Sequence, residues 1–88
     1  MASKRNLKKD LNYVMSDIIE TAIIYQIAHP EEDAKETDAI IADAVSDFNA
    51  MITKINQRDV EHKGKHLKEV SKEIETKAHG LISRINAL

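Results

Sequence analysis

The chain has no cysteine and no tryptophan among its 88 residues. Disulfides, thiolate zinc sites and cysteine nucleophiles are therefore excluded. Small secreted domains lean on disulfides, so the same absence points to the cytoplasm. One proline and two glycines leave little material for long irregular loops. The aromatics are Tyr13, Tyr25 and Phe48 only, so aliphatic side chains must fill the interior. No apolar run approaches the roughly 20 residues needed to span a bilayer. The basic opening Met-Ala-Ser-Lys-Arg-Asn is not followed by the apolar core of a signal peptide. No glycine-rich loop, internal repeat or low-complexity tract is present.

What is there is an ordinary globular mix, 42% hydrophobic and 32% charged, which excludes a disordered chain and fits one domain. The formal net charge of −2 gives no global basic field to draw the protein to nucleic acid or membrane. Charge is nonetheless segregated. Residues 1–9 carry Lys4, Arg5, Lys8 and Lys9 and no acid, +4. Residues 10–48 carry ten acids against Lys35 alone, −9, and residues 49–88 carry eight bases and five acids, +3. An acidic middle between two basic ends suits three antiparallel helices that attract one another.

The first helix, expected over about residues 4–28, organises the rest. At about 100° per residue, Leu7, Leu11, Val14, Met15, Ile18, Ala22 and Tyr25 fall on one core-facing stripe. Tyr13, Ile23, Ile24 and Ile27 project instead into the sector that holds Lys9, Ser16, Asp17 and Glu20. The half from Ile18 to Ala28 is thus apolar nearly all round, the mark of a helix covered on more than one side. Either the neighbouring helices and the following loop cover these residues, or they form an interface with a second copy.

Ser3 is the expected N-cap, and Pro30 ends the helix by disfavouring helical geometry at His29. The second helix, about 31–57, has two candidate starts. Pro30 fits a first helical position, with Glu31, Glu32 and Asp33 at the positive end. Alternatively Asp33-Ala34-Lys35-Glu36 resembles a capping box. Its stripe is Thr37, Ile40, Ile41, Ala44, Val45, Phe48, Met51, Ile52 and Ile55. Periodicity is lost over 57–64, with Gly64 near the end of that connection. The third helix, about 65–87, has Leu67, Val70, Ile74, Ala78, Leu81, Ile85 and Leu88 as its core line, with Ile82 at the edge. The expected fold is an all-α, three-helix, up-down-up antiparallel bundle spanning 1–88.

The opening Lys4-Arg5-Asn6-Leu7-Lys8-Lys9-Asp10-Leu11-Asn12-Tyr13, followed by Ser16-Asp17-Ile18-Ile19-Glu20, resembles a group of small all-helical proteins of Bacteroidetes-type bacteria. The resemblance covers about the first quarter of the chain. It implies a bacterial, cytoplasmic setting and no site residues, and it draws attention to Asn12 and Tyr13, which the core stripe does not need.

Candidate chemistry is thin. His62 and His66 are four apart, as on a metal-binding helix face, with Glu69 or Glu73 as a third ligand. Gly64 between them and the flanking Lys63 and Lys65 disfavour a cation, so a solvated loop and helix start is the preferred reading. Glu31, Glu32, Asp33 and Glu36 are explained by capping rather than by ion binding. Lys4, Arg5, Lys8 and Lys9, with Lys65, Lys68 and Lys72, are candidate phosphate contacts, but no aromatic interleaves with them for base stacking. Ser16, Ser46, Ser71 and Ser83 have no His–Asp arrangement or nucleophile elbow. The expectation is a protein that is not an enzyme and needs no cofactor. Its partner is expected to be a second copy, as a homodimer, or another protein, met through Tyr13, Ile23, Ile24 and Ile27. A nucleic-acid accessory role is the alternative, and no membrane is expected as partner.

Overall fold

The computed structural model describes residues 3–58 and 60–88. It is an all-α bundle of three helices, α1 (Lys4–Ala28), α2 (Lys35–Ile55) and α3 (Lys63–Asn86). The molecule is a rod of 51 × 20 × 18 Å. Its radius of gyration, 14.7 Å, exceeds the roughly 12 Å of a spherical domain this long because the helices lie side by side. α1 packs most extensively on α2.

The three apolar stripes meet in one core. Leu11, Met15, Ile40, Met51 and Ile55 are its largest fully buried side chains. Ala22, Ala44 and Ala78 sit among them. Leu67, Val70, Ile74 and Leu81 close the core from α3. The edges of the stripes are less covered than their periodicity suggests. Val45, Ile82 and Leu88 are exposed, while Val14, Phe48 and Ile85 are half-buried.

α2 and α3 are laced by three ion pairs, Lys54–Glu73 at 2.7 Å, Lys77–Asp47 at 3.5 Å and Arg84–Asp43 at 2.6 Å. The partners on α3 rise in number as those on α2 fall, an antiparallel ladder. Each pair is partly exposed and contributes on the order of 0.2–1 kcal/mol.

The helix ends correct the sequence reading in two places. α2 starts at Lys35, not near residue 31. Pro30, Glu31 and Glu32 form a turn closed by the Glu32 amide donating to the His29 carbonyl at 3.1 Å. Glu31 and Glu32 therefore do not occupy a helix N-terminus. Asp33 accepts from the Lys35 amide at 3.0 Å, a local Asx-type bond that starts the helix, and Ala34 is the N-cap. α3 starts at Lys63 rather than 65 and takes in Gly64, with His62 as N-cap. The α2–α3 connection, 56–62, is as long as the expected 58–64 but lies two residues earlier, and its Asp59 lies outside the described residues. Ser3 does cap α1, accepting from the Asn6 amide at 3.2 Å.

Candidate interaction surface

Side chains at the helix corners lock the bundle and leave part of α1 uncovered. Thr37 is the one polar residue of the buried set, at 2% exposure. Its hydroxyl donates to the Ala34 carbonyl at 3.0 Å and accepts from the Gln26 amide at 2.6 Å. Gln26 also donates to Asp38 at 2.7 Å, so one amide clamps the end of α1 to the start of α2. A buried hydroxyl with both roles filled carries no desolvation penalty.

Tyr25 ties three segments together. Its hydroxyl donates to the Glu32 carboxylate at 2.6 Å and lies 3.4 Å from the Leu88 carbonyl oxygen. That hydrogen bond, with the proximity of the Glu32 charge, holds the Tyr25 phenol above its usual pKa. The His29 ring stacks on Tyr25 at 4.1 Å, and its Nδ1 lies 3.0 Å from the Tyr25 carbonyl oxygen. With a proton on Nδ1, the ring caps the end of α1.

His66 does the same for α2. Its Nε2 lies 2.7 Å from the Lys54 carbonyl oxygen, one of the carbonyls left without an intrahelical partner. His62 is the N-cap residue of α3, one turn before His66. Among the described residues no group of three His, Asp or Glu side chains is placed to hold a metal ion. Sequence reasoning missed the roles of Gln26, Tyr25, His29 and His66, and no local signal announces them.

The four apolar residues singled out on α1 are all in contact with solvent. Exposure is 62% at Tyr13, 43% at Ile23, 56% at Ile24 and 74% at Ile27. Helical geometry spreads them over the side of α1 opposite Leu11 and Ala22. At about 100° per residue Tyr13 and Ile27 point most nearly away from the core, Ile23 leans to the α2 side and Ile24 to the α3 side. Asp17 and Glu20, both exposed, lie between Tyr13 and Ile24 along the helix.

The bases of α1 do not form one row. Lys4 and Lys8 are half-buried and lie a turn apart, while Arg5 and Lys9 are exposed a turn apart on another face. Among the described residues none of the four joins an ion pair. Leu7 lines a groove with Ser71 and Ile74, so these bases and the exposed Lys65, Lys68 and Lys72 fall at the same end of the rod. Among the described residues no helix is long and apolar enough to cross a membrane. No protein-family model, curated protein or solved structure matches the chain.

Proposed function

We propose that this protein is a non-enzymatic structural or protein–protein interaction module that self-associates, as a homodimer, through the outward side of α1. The supporting observation is the exposure of Tyr13, Ile23, Ile24 and Ile27 in the single chain, with Ile27 at 74%. Each isoleucine left in water forgoes part of the roughly 1.5–3 kcal/mol that full burial supplies. Four large apolar groups on one helix side are the signature of a surface that meets another protein. A two-fold contact uses the same patch twice and so needs no second patch elsewhere. The cysteine-free composition and the resemblance of the opening segment support a cytoplasmic, bacterial setting.

Light scattering behind a sizing column tests the reading at concentrations on the order of tens of micromolar. The expected mass is twice the 9.9 kDa of one chain. A clean monomer over that range removes the self-association.

The second reading is a nucleic-acid accessory protein. The gathering of Arg5, Lys9, Lys65, Lys68 and Lys72 at one end of the rod favours it. Phosphate contacts of that kind weaken steeply with salt, because each releases condensed counterions. Absence of any binding to duplex or single strands at low salt ends it.

A further inference from the structure

Between α1 and α3 the surface opens into two hollows of about 380 and 250 Å³. Val14 and Ile82 line both, so they form one continuous groove. Along its α1 wall stand Leu7, Asp10, Val14, Asp17 and Thr21. These alternate in steps of three and four, the seam that a helix presents to another helix packed along it. Its α3 wall and floor are Ile74, Ala78, Ile82 and Ile85, again in steps of four, four and three. At about 1.5 Å per residue the walls run about 21 Å along α1, the length of about four turns, and about 16 Å along α3.

The charge of the groove has one sign. Asp10, Asp17 and Glu75 line it, no lysine or arginine does, and His79 is the one other titratable side chain there. Among the described residues none of the three carboxylates is in an ion pair. α3 turns Lys77 and Arg84 the other way, onto Asp47 and Asp43 of α2. The floor is apolar, with Ile82 at 42% exposure although it lies between two helices.

We propose that this groove binds one basic amphipathic helix of a different protein, of about four turns, completing a four-helix bundle. Apolar residues in heptad spacing fill the floor beside Val14 and Ile82, and flanking lysines or arginines meet Asp10, Asp17 and Glu75. A second copy of this chain fits poorly. The exposed apolar residues of α1 are interleaved with Asp17 and Glu20, which would face the acids of the groove. The exposed lysines of α3 have no apolar row beside them except Ile82 itself. This site is distinct from Ile23 and Ile27, which lie away from the groove.

The probe is a fluorescein-labelled synthetic peptide of about 15 residues, with leucines in heptad spacing and lysines flanking them. Its anisotropy with the full chain should saturate, its helicity should rise, and its affinity should fall with salt. Ile82→Lys should weaken binding by about tenfold or more while far-UV circular dichroism and Tm stay put, because the residue is already partly solvated. Asp17→Asn with Glu75→Gln should flatten the salt dependence. The proposal is overturned by an unsaturable response, by equal binding of the peptide with glutamate for lysine, or by unchanged binding to Ile82→Lys. It is also overturned if the wild type is a dimer that Ile82→Lys dissociates, since a second copy then fills the groove. A monomeric wild type that binds the peptide would remove the homodimer and leave the groove standing.

Discussion

Replacing Ile24 and Ile27 by lysine is the sharpest perturbation of the proposed self-association. Full burial of an isoleucine contributes about 1.5–3 kcal/mol. Ile24 is 56% and Ile27 74% exposed in the single chain, and association can recover only that remaining part. The two together then supply about 2–4 kcal/mol per protomer. A two-fold interface counts the loss twice, about 4–8 kcal/mol, and the lower bound alone weakens the dimer about a thousandfold. The fold should not suffer. Lysine is a better helix former than isoleucine, and a cation near the end of α1 faces the favourable end of the helix dipole. α1 has no base of its own in that last turn. The monomer's stability should therefore change by no more than about 0.5 kcal/mol. Sedimentation velocity over a concentration series reads the association, and a thermal melt at the dilute end reads the fold. A double variant that associates within a few-fold of wild type refutes the assignment of this side of α1.

Three further outcomes are expected. Gly80 lies inside α3, and a Cβ built there meets nothing within 4 Å. Gly80→Ala should stabilise by about 0.5–1 kcal/mol and raise Tm by a few degrees, and an unchanged or lower Tm contradicts the open space. Gln26→Ala should destabilise by about 1 kcal/mol in urea through loss of the bond to buried Thr37, and a double cycle with Thr37→Val should show coupling between the two. The Tyr25 phenol has a folded pKa raised above the unfolded value near 10, so its contribution to stability is complete below that pH and is lost as pH rises through the folded value. In a Tyr13→Phe background, Glu32→Gln should lower the ultraviolet titration midpoint of Tyr25, and an unmoved midpoint means the hydrogen bond does not set it.

The three core stripes were legible because helical periodicity is a local property of the chain. Leu11, Met15, Ile40, Met51, Val70 and Ile74 follow from spacing alone and are buried. The edges were not legible. Val45 and Ile82 satisfy the same spacing rules as Phe48 and Leu81, but whether an edge is covered depends on how far apart two helices stand. The start of α2 was ambiguous because Pro30 and Asp33 both obey local capping rules. What accompanies the later start is the pull of Tyr25 on Glu32 and of Gln26 on Thr37 and Asp38. Those bonds cross the α1–α2 turn and depend on how the two helices dock, which periodicity and capping rules do not encode. His66 fits a solvated helix start by sequence, yet it is half-buried and its Nε2 meets the Lys54 carbonyl, twelve residues away. On the interaction surface, the four apolar residues of α1 were found by their departure from the stripe. The groove beside Val14 was invisible, because the exposure of Ile82 is set by how far apart α1 and α3 stand.

That contrast bears on what α1 is for. Its inner side is filled by α2 and α3, and Leu11 and Ala22 are fully buried. A helix that served only to fold this chain would gain nothing from Ile24 and Ile27 on its outer side, where lysine or glutamate would raise solubility at no loss of packing. It would gain nothing from leaving Val14 beside an open groove, where a bulkier residue on α3 could close it. Ile23 and Ile27 lie away from the groove, while Asp17 lines it and Ile24 borders it. The outer side runs from bases through Glu20 to isoleucines, while the groove is lined by Asp10, Asp17, Glu75 and His79. One partner of one composition cannot match both. The two proposals together assign α1 two associations, one with mixed charge and one with a basic helix. An Ile23→Lys, Ile27→Lys double variant that lost self-association yet kept peptide binding would separate them.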